Sequence, residues 1–140
     1  MGIDRKEFVE ELVDYFMRQN IIVHGARGLE EYKSPPAIRN DGFGDLRSRY
    51  PDVVGMDKVK RRIVFGIVRE TAAELDTEQA LTDYNVFLDH RQGAGTDASL
   101  LVVLMPDSLV ADFSNILTHY VHREYWHRVL IVESKGGAEK

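Results

Sequence analysis

The stretch Tyr50-Pro51-Asp52-Val53-Val54-Gly55-Met56-Asp57-Lys58-Val59-Lys60-Arg61-Arg62-Ile63-Val64-Phe65-Gly66-Ile67-Val68-Arg69-Glu70 decides the fold. Residues 50–55 and 61–70 read as strands, because β-branched and aromatic side chains suit a pleated, half-buried surface. The segment 56–60 between them is short and polar, which predicts an antiparallel hairpin. Side chains alternate along a strand. Arg62, Val64, Gly66, Val68 and Glu70 therefore share one face, and Ile63, Phe65, Ile67 and Arg69 share the other.

Upstream, Asp4 and Glu7 have the spacing of a capping box. Phe8, Val9, Leu12, Val13 and Phe16 follow at helical intervals, predicting a helix over 5–19. Ile21-Ile22-Val23 reads as a short strand running towards Gly25 and Gly28. Residues 29–48 are irregular, with Pro35-Pro36 and the turn chemistry of Asp41-Gly42-Phe43-Gly44, and form an insertion or loop on the core. Downstream, Asp76-Thr77-Glu78-Gln79 predicts a second capping box before a helix whose apolar face is Ala80, Leu81, Tyr84, Phe87 and Leu88. Leu100–Met105 is the longest apolar run and reads as a strand buried on both faces. Pro106-Asp107-Ser108 ends it and caps a third helix carrying Leu109, Phe113, Ile116 and Leu117. Residues 129–132 read as a fifth strand, also buried on both sides, and 135–140 as a flexible tail.

The order is α-β-β-β-α-β-α-β. The first strands pair as hairpins, and helical crossovers make the late ones parallel. The expected fold is α/β, a three-layer αβα sandwich with a mixed sheet, in one domain over 1–140.

Composition narrows the function classes. The chain has 140 residues, no Cys and a formal net charge of −5. Disulfides, thiolate zinc sites and cysteine nucleophiles are excluded. No apolar run approaches the ~20 residues of a membrane span, and the first residues lack a signal-peptide profile, so the expectation is a cytoplasmic protein without membrane contact. The acidic balance opposes bulk attraction to nucleic acid but allows a local basic groove.

The element order, with Pro51-Asp52 opening one strand of a hairpin, resembles the PD-(D/E)xK, or restriction-endonuclease-like, nuclease superfamily over most of the chain. That resemblance implies an αβββαβ core. It also implies an acid at the start of the second strand, an acid and a lysine two apart on the third, and often a glutamate on the first helix. Those carboxylates would hold Mg²⁺ or Mn²⁺, which generates the nucleophile and stabilises charge on phosphate. Asp52 matches the first acidic position. Gly66 stands where the second acid belongs, and Val68 where the lysine belongs, so the chain departs from the motif at both. Glu70 lies on the same face, two residues beyond the lysine position, and is the surviving candidate for a second ligand. Glu10 and Glu11 are candidates for the helix glutamate, which makes Asp52, Glu70 and Glu11 the expected metal set. Gln79 and Tyr84 sit where the family's next helix often faces the site.

Two readings stand side by side for each group. Asp52 is a metal ligand or strand-entry chemistry. Glu70, Glu10 and Glu11 are ligands or solvated faces. Lys58, Lys60, Arg61 and Arg62 are a phosphate-contacting finger or a soluble turn that protects a sheet edge. Arg39, Arg47 and Arg49 would extend a basic groove if the 29–48 segment folds over it. His119 and His122 have a metal-binding spacing, but they also suit a helix C-terminus. The leading expectation is a nuclease-like domain without catalysis, acting as a nucleic-acid-related binding or regulatory module. It would work on DNA, with a protein partner, or as a homo-oligomer. The alternative is a divalent-metal-dependent DNA endonuclease with a migrated active site at Asp52 and Glu70. A weaker third is an unrelated α/β fold that binds a nucleotide at its strand ends.

Overall fold

A computed structural model describes residues 5–35, 50–59, 61–89, 99–121 and 123–134. Among these residues three α-helices, α1 (Arg5–Arg18), α2 (Glu78–Asp89) and α3 (Val110–Tyr120), accompany five strands. The strands are β1 (Ile21–Ala26), β2 (Val53–Asp57), β3 (Ile63–Val68), β4 (Leu100–Met105) and β5 (Val129–Glu133). They form one mixed sheet in the order β1-β2-β3-β4-β5. The pairs β1–β2 and β2–β3 are antiparallel, and β3–β4 and β4–β5 are parallel. The chain is therefore α/β, with hairpin pairing early and helical crossovers late. No helix among the described residues is long and apolar enough to cross a membrane.

The β2–β3 turn is closed by Asp57. Its Oδ1 accepts from the Val59 amide at 2.9 Å, and its carbonyl accepts from the Arg61 amide at 2.8 Å. Arg61 takes a left-handed φ of 55° to complete the turn. With Arg61 in the turn, β3 begins at Ile63 and ends at Val68, shorter than the 61–70 the sequence suggests. Pro51 offers no amide to a ladder, and β2 correspondingly begins at Val53.

The alternation expected along β3 holds. Val64 and Val68 pack with Phe8, Val9, Leu12 and Phe16 of α1. Phe65 and Ile67 pack with Tyr84, Phe87 and Leu88 of α2 and with Phe113 of α3. β4 is buried throughout: Leu100, Val102 and Leu104 join the α1 side, and Leu101, Val103 and Met105 the α2–α3 side.

Three expectations are corrected. β5 is not buried on both faces; none of its residues is fully buried and Leu130 is 39% exposed, because β5 is an edge strand. The cap of α2 is Thr77, not Asp76: Thr77 Oγ1 accepts from the Ala80 amide at 3.0 Å, the N-cap-to-N3 bond. Pro106-Asp107-Ser108 leads into one 3₁₀ turn, Asp107–Leu109, before α3 begins at Val110. Asp4, residues 36–49 and the 135–140 tail lie outside the described residues.

α1 lies close on β3. A Cβ at Gly66 would stand 2.8 Å from Leu12 Cδ2 and 3.0 Å from Phe16 Cζ. Gly66→Ala is expected to lower stability by about 1–3 kcal/mol through overpacking, read from urea denaturation midpoints.

Candidate functional site

β3 runs from the hairpin towards Glu70, and β2 starts beside its far end, so the pairing brings Asp52 next to the residues that follow β3. The Asp52 amide donates to the Gly66 carbonyl at 2.9 Å, and its carbonyl accepts from the Arg27 amide at 2.7 Å. Asp52 is 3% exposed. Its carboxylate accepts from the Val68 amide at 2.8 Å.

The first turn of α1 passes over this point and delivers Arg5. Arg5 Nη2 lies 3.3 Å from Asp52 Oδ2, and Nη1 lies 2.9 Å from Glu70 Oε2 and 3.1 Å from Glu74 Oε2. Glu74 follows β3 on a short 3₁₀ turn, Ala72–Glu74. Its other oxygen accepts from the Glu70 amide at 2.6 Å and the Thr71 amide at 3.2 Å. One guanidinium thus joins three carboxylates, one at the entry of β2 and two that follow β3. Arg27 stands at the rim, 3.9 Å from Asp52 Oδ1 and about half exposed. Burial disfavours the charge on Arg5, yet Asp52, Glu70 and Glu74 outweigh it and raise its pKa above the ordinary value.

The two carboxylates singled out in the sequence, Asp52 and Glu70, are therefore brought together. The helix glutamates are placed differently. Glu11 Oε1 accepts from Ser134 Oγ at 2.8 Å, beyond the end of β5. Glu10 is exposed on α1. The cluster does not fit Mg²⁺ or Mn²⁺. A guanidinium stands among its carboxylates, and neither Gly66 nor Val68 offers a ligand side chain. Among the described residues no group of three or more His, Asp or Glu is arranged to hold a metal ion. Sequence reasoning missed Arg5 and Glu74.

Tyr84 does not face this cluster, contrary to expectation. It is fully buried against the opposite face, where its hydroxyl donates to the Leu75 carbonyl at 2.8 Å and accepts from Arg69 Nε at 3.2 Å. Arg69, on the face that parity assigns it, also reaches the Val68 carbonyl at 3.2 Å and Asp83 at 3.3 Å. Burial is the main reason the Tyr84 phenol titrates above its ordinary value, with Arg69 opposing. Gln79 lines a cleft of about 240 Å³ beside Arg69.

The basic residues Lys58 and Arg61 are exposed at the β2–β3 turn, whereas Arg62 is half-buried with Nε 3.9 Å from Asp57. Five residues of β2 separate this turn from Asp52, roughly 17 Å along the strand. The turn and the acid cluster thus occupy opposite ends of the hairpin, too far apart to grip one phosphate. His119 Nδ1 lies 3.0 Å from the Asn115 carbonyl within its own helix. Lys60, Arg39, Arg47, Arg49 and His122 lie outside the described residues. No protein-family model, curated protein or solved structure matches the chain.

Burial disfavours ionised Glu74, but the Glu70 and Thr71 amides and Arg5 outweigh it and hold its carboxyl below the ordinary value of 4.5. A depressed folded-state pKa stabilises above the unfolded value and loses that contribution as pH falls through the folded one. Stability should therefore fall as pH drops below 4.5. Glu74→Gln should be less stable than wild type at neutral pH and should lose less on acidification, as urea midpoints across a pH series will show.

Proposed function

We propose that the chain is a restriction-endonuclease-like αβα domain whose catalytic centre has been replaced by an internal ion-pair lock, and that it works as a binding or regulatory module. The observation that carries this reading is Arg5, whose guanidinium joins Asp52, Glu70 and Glu74. In a metal-dependent nuclease, clustered carboxylates attract a divalent cation that binds substrate phosphate. Here the positive charge comes from the chain itself and is not exchanged with solvent.

The positions of the missing motif residues support the same reading. Gly66 and Val68 lie beneath α1, where Leu12 and Phe16 leave no room for an acid or a lysine. An active centre at this point would need α1 to move away, exposing Phe8, Leu12 and Phe16. Their burial is worth about 1.5–3 kcal/mol each. The element order and the pairing of the hairpin with two parallel strands favour the nuclease-like sandwich over the nucleotide-binding alternative.

The test is calorimetric titration of Mn²⁺ into the wild-type protein and Asp52→Ala, with cleavage assays on duplex and single-stranded DNA. No saturable Mn²⁺ binding and no cleavage is the expected result. Saturable binding lost in Asp52→Ala, together with cleavage, would overturn the proposal in favour of an endonuclease using Asp52 and Glu70.

A further inference from the structure

A groove of about 300 Å³ runs beside α1, away from the acid cluster, with Val13, Met17, Leu29 and Tyr32 in its wall. Met17 is 59% exposed, although the other large apolar side chains of α1 lie against the sheet. Glu10, Asp14 and Glu31 also line it, and all three are exposed. Among the described residues no cation pairs with these three carboxylates. The groove thus combines an apolar wall with three exposed carboxylates that make no ion pair with a described residue.

The tip of the β2–β3 hairpin has the complementary chemistry. Val59 is 82% exposed, more than any other large apolar side chain described. Exposed Lys58 and Arg61 flank it. Asp57 accepts hydrogen bonds from the Val59 and Arg61 amides, which fixes those two residues against the end of β2. An apolar knob between two cations matches an apolar wall between carboxylates, and the cationic stems can lie on the wall while their charged ends meet the acids.

We infer that the hairpin tip of one copy docks in the α1 groove of a second copy, with Val59 against Met17 and Tyr32, and Lys58 and Arg61 against Glu10, Asp14 and Glu31. Each copy carries one tip and one groove, so a two-fold pair makes the contact twice. The net charge of −5 per chain opposes association in general, which leaves this local match to supply it. Neither surface includes the Arg5 cluster, so this inference and the proposed function fail independently.

Sedimentation velocity on the full chain over a concentration series tests it. Wild type is expected to dimerise. Lys58→Glu with Arg61→Glu reverses the tip, and Glu10→Lys with Asp14→Lys reverses the groove. Each double variant alone should dimerise on the order of tenfold more weakly, and mixing the two should restore a heterodimer with both contacts matched. All four positions are exposed, and circular dichroism checks folding. Should a double variant misfold, Val59→Asp reads the same contact. A monomeric wild type, a dimer indifferent to these changes, or a mixture that fails to recover would each overturn the inference. So would a monomer that holds duplex DNA through Lys58 and Arg61, which would make the tip a nucleic-acid contact.

Discussion

The side chain of Asp52 is 4% exposed, and a carboxylate withdrawn from water must find its partners inside the protein. It finds them in the Val68 amide and the Arg5 guanidinium. These two contacts tie the entry of β2 to the exit of β3 and tie both to the first turn of α1. The end of the sheet is organised by this requirement. Glu70 and Glu74 gather on the same guanidinium, and Glu74 in turn accepts the amides of Glu70 and Thr71 that follow β3.

The ion pairs do not supply most of the energy that keeps α1 in place. Arg5, Glu70 and Glu74 are each roughly a third exposed, and pairs of that kind contribute about 0–1 kcal/mol. Phe8, Val9, Leu12, Val13 and Phe16 are all buried, at about 1.5–3 kcal/mol each. Apolar burial therefore holds the helix on the sheet, and the charges set where its first turn sits. Gly66 lets the two layers come close enough for both to occur.

Most of this fold is legible from local pattern. The parity of β3 places Glu70 beside α1 and Arg69 beside α2, and the apolar run at Leu100 places β4 between two helical layers. Fine detail fails where local signals compete. Asp76 and Thr77 are adjacent capping types, and only the bond to Ala80 distinguishes them. β5 has the apolar composition of a buried strand, but its position at the sheet edge depends on strand order. The site was half legible: the family resemblance singles out Asp52, and strand parity singles out Glu70. Neither singles out Arg5, because it joins residues 47, 65 and 69 positions away through the path of a helix across the sheet. Its only local sign is a cation in the first turn, where the helix dipole favours anions instead.

The sequential strand order has a kinetic consequence. Among the described residues every hydrogen-bonded strand neighbour in space is also the next strand in the chain. The sheet can grow by accretion, each addition closing one connection whose entropic cost rises only slowly with length. Docking α1 is different. Its packing on β1 is local, whereas reaching β3 must close the separation between Arg5 and the end of that strand. The topology thus separates a local, progressive assembly of the sheet from the non-local closure of α1 over β3. The balance between the two sets how long Val64, Val68 and Val102 stay wet during folding.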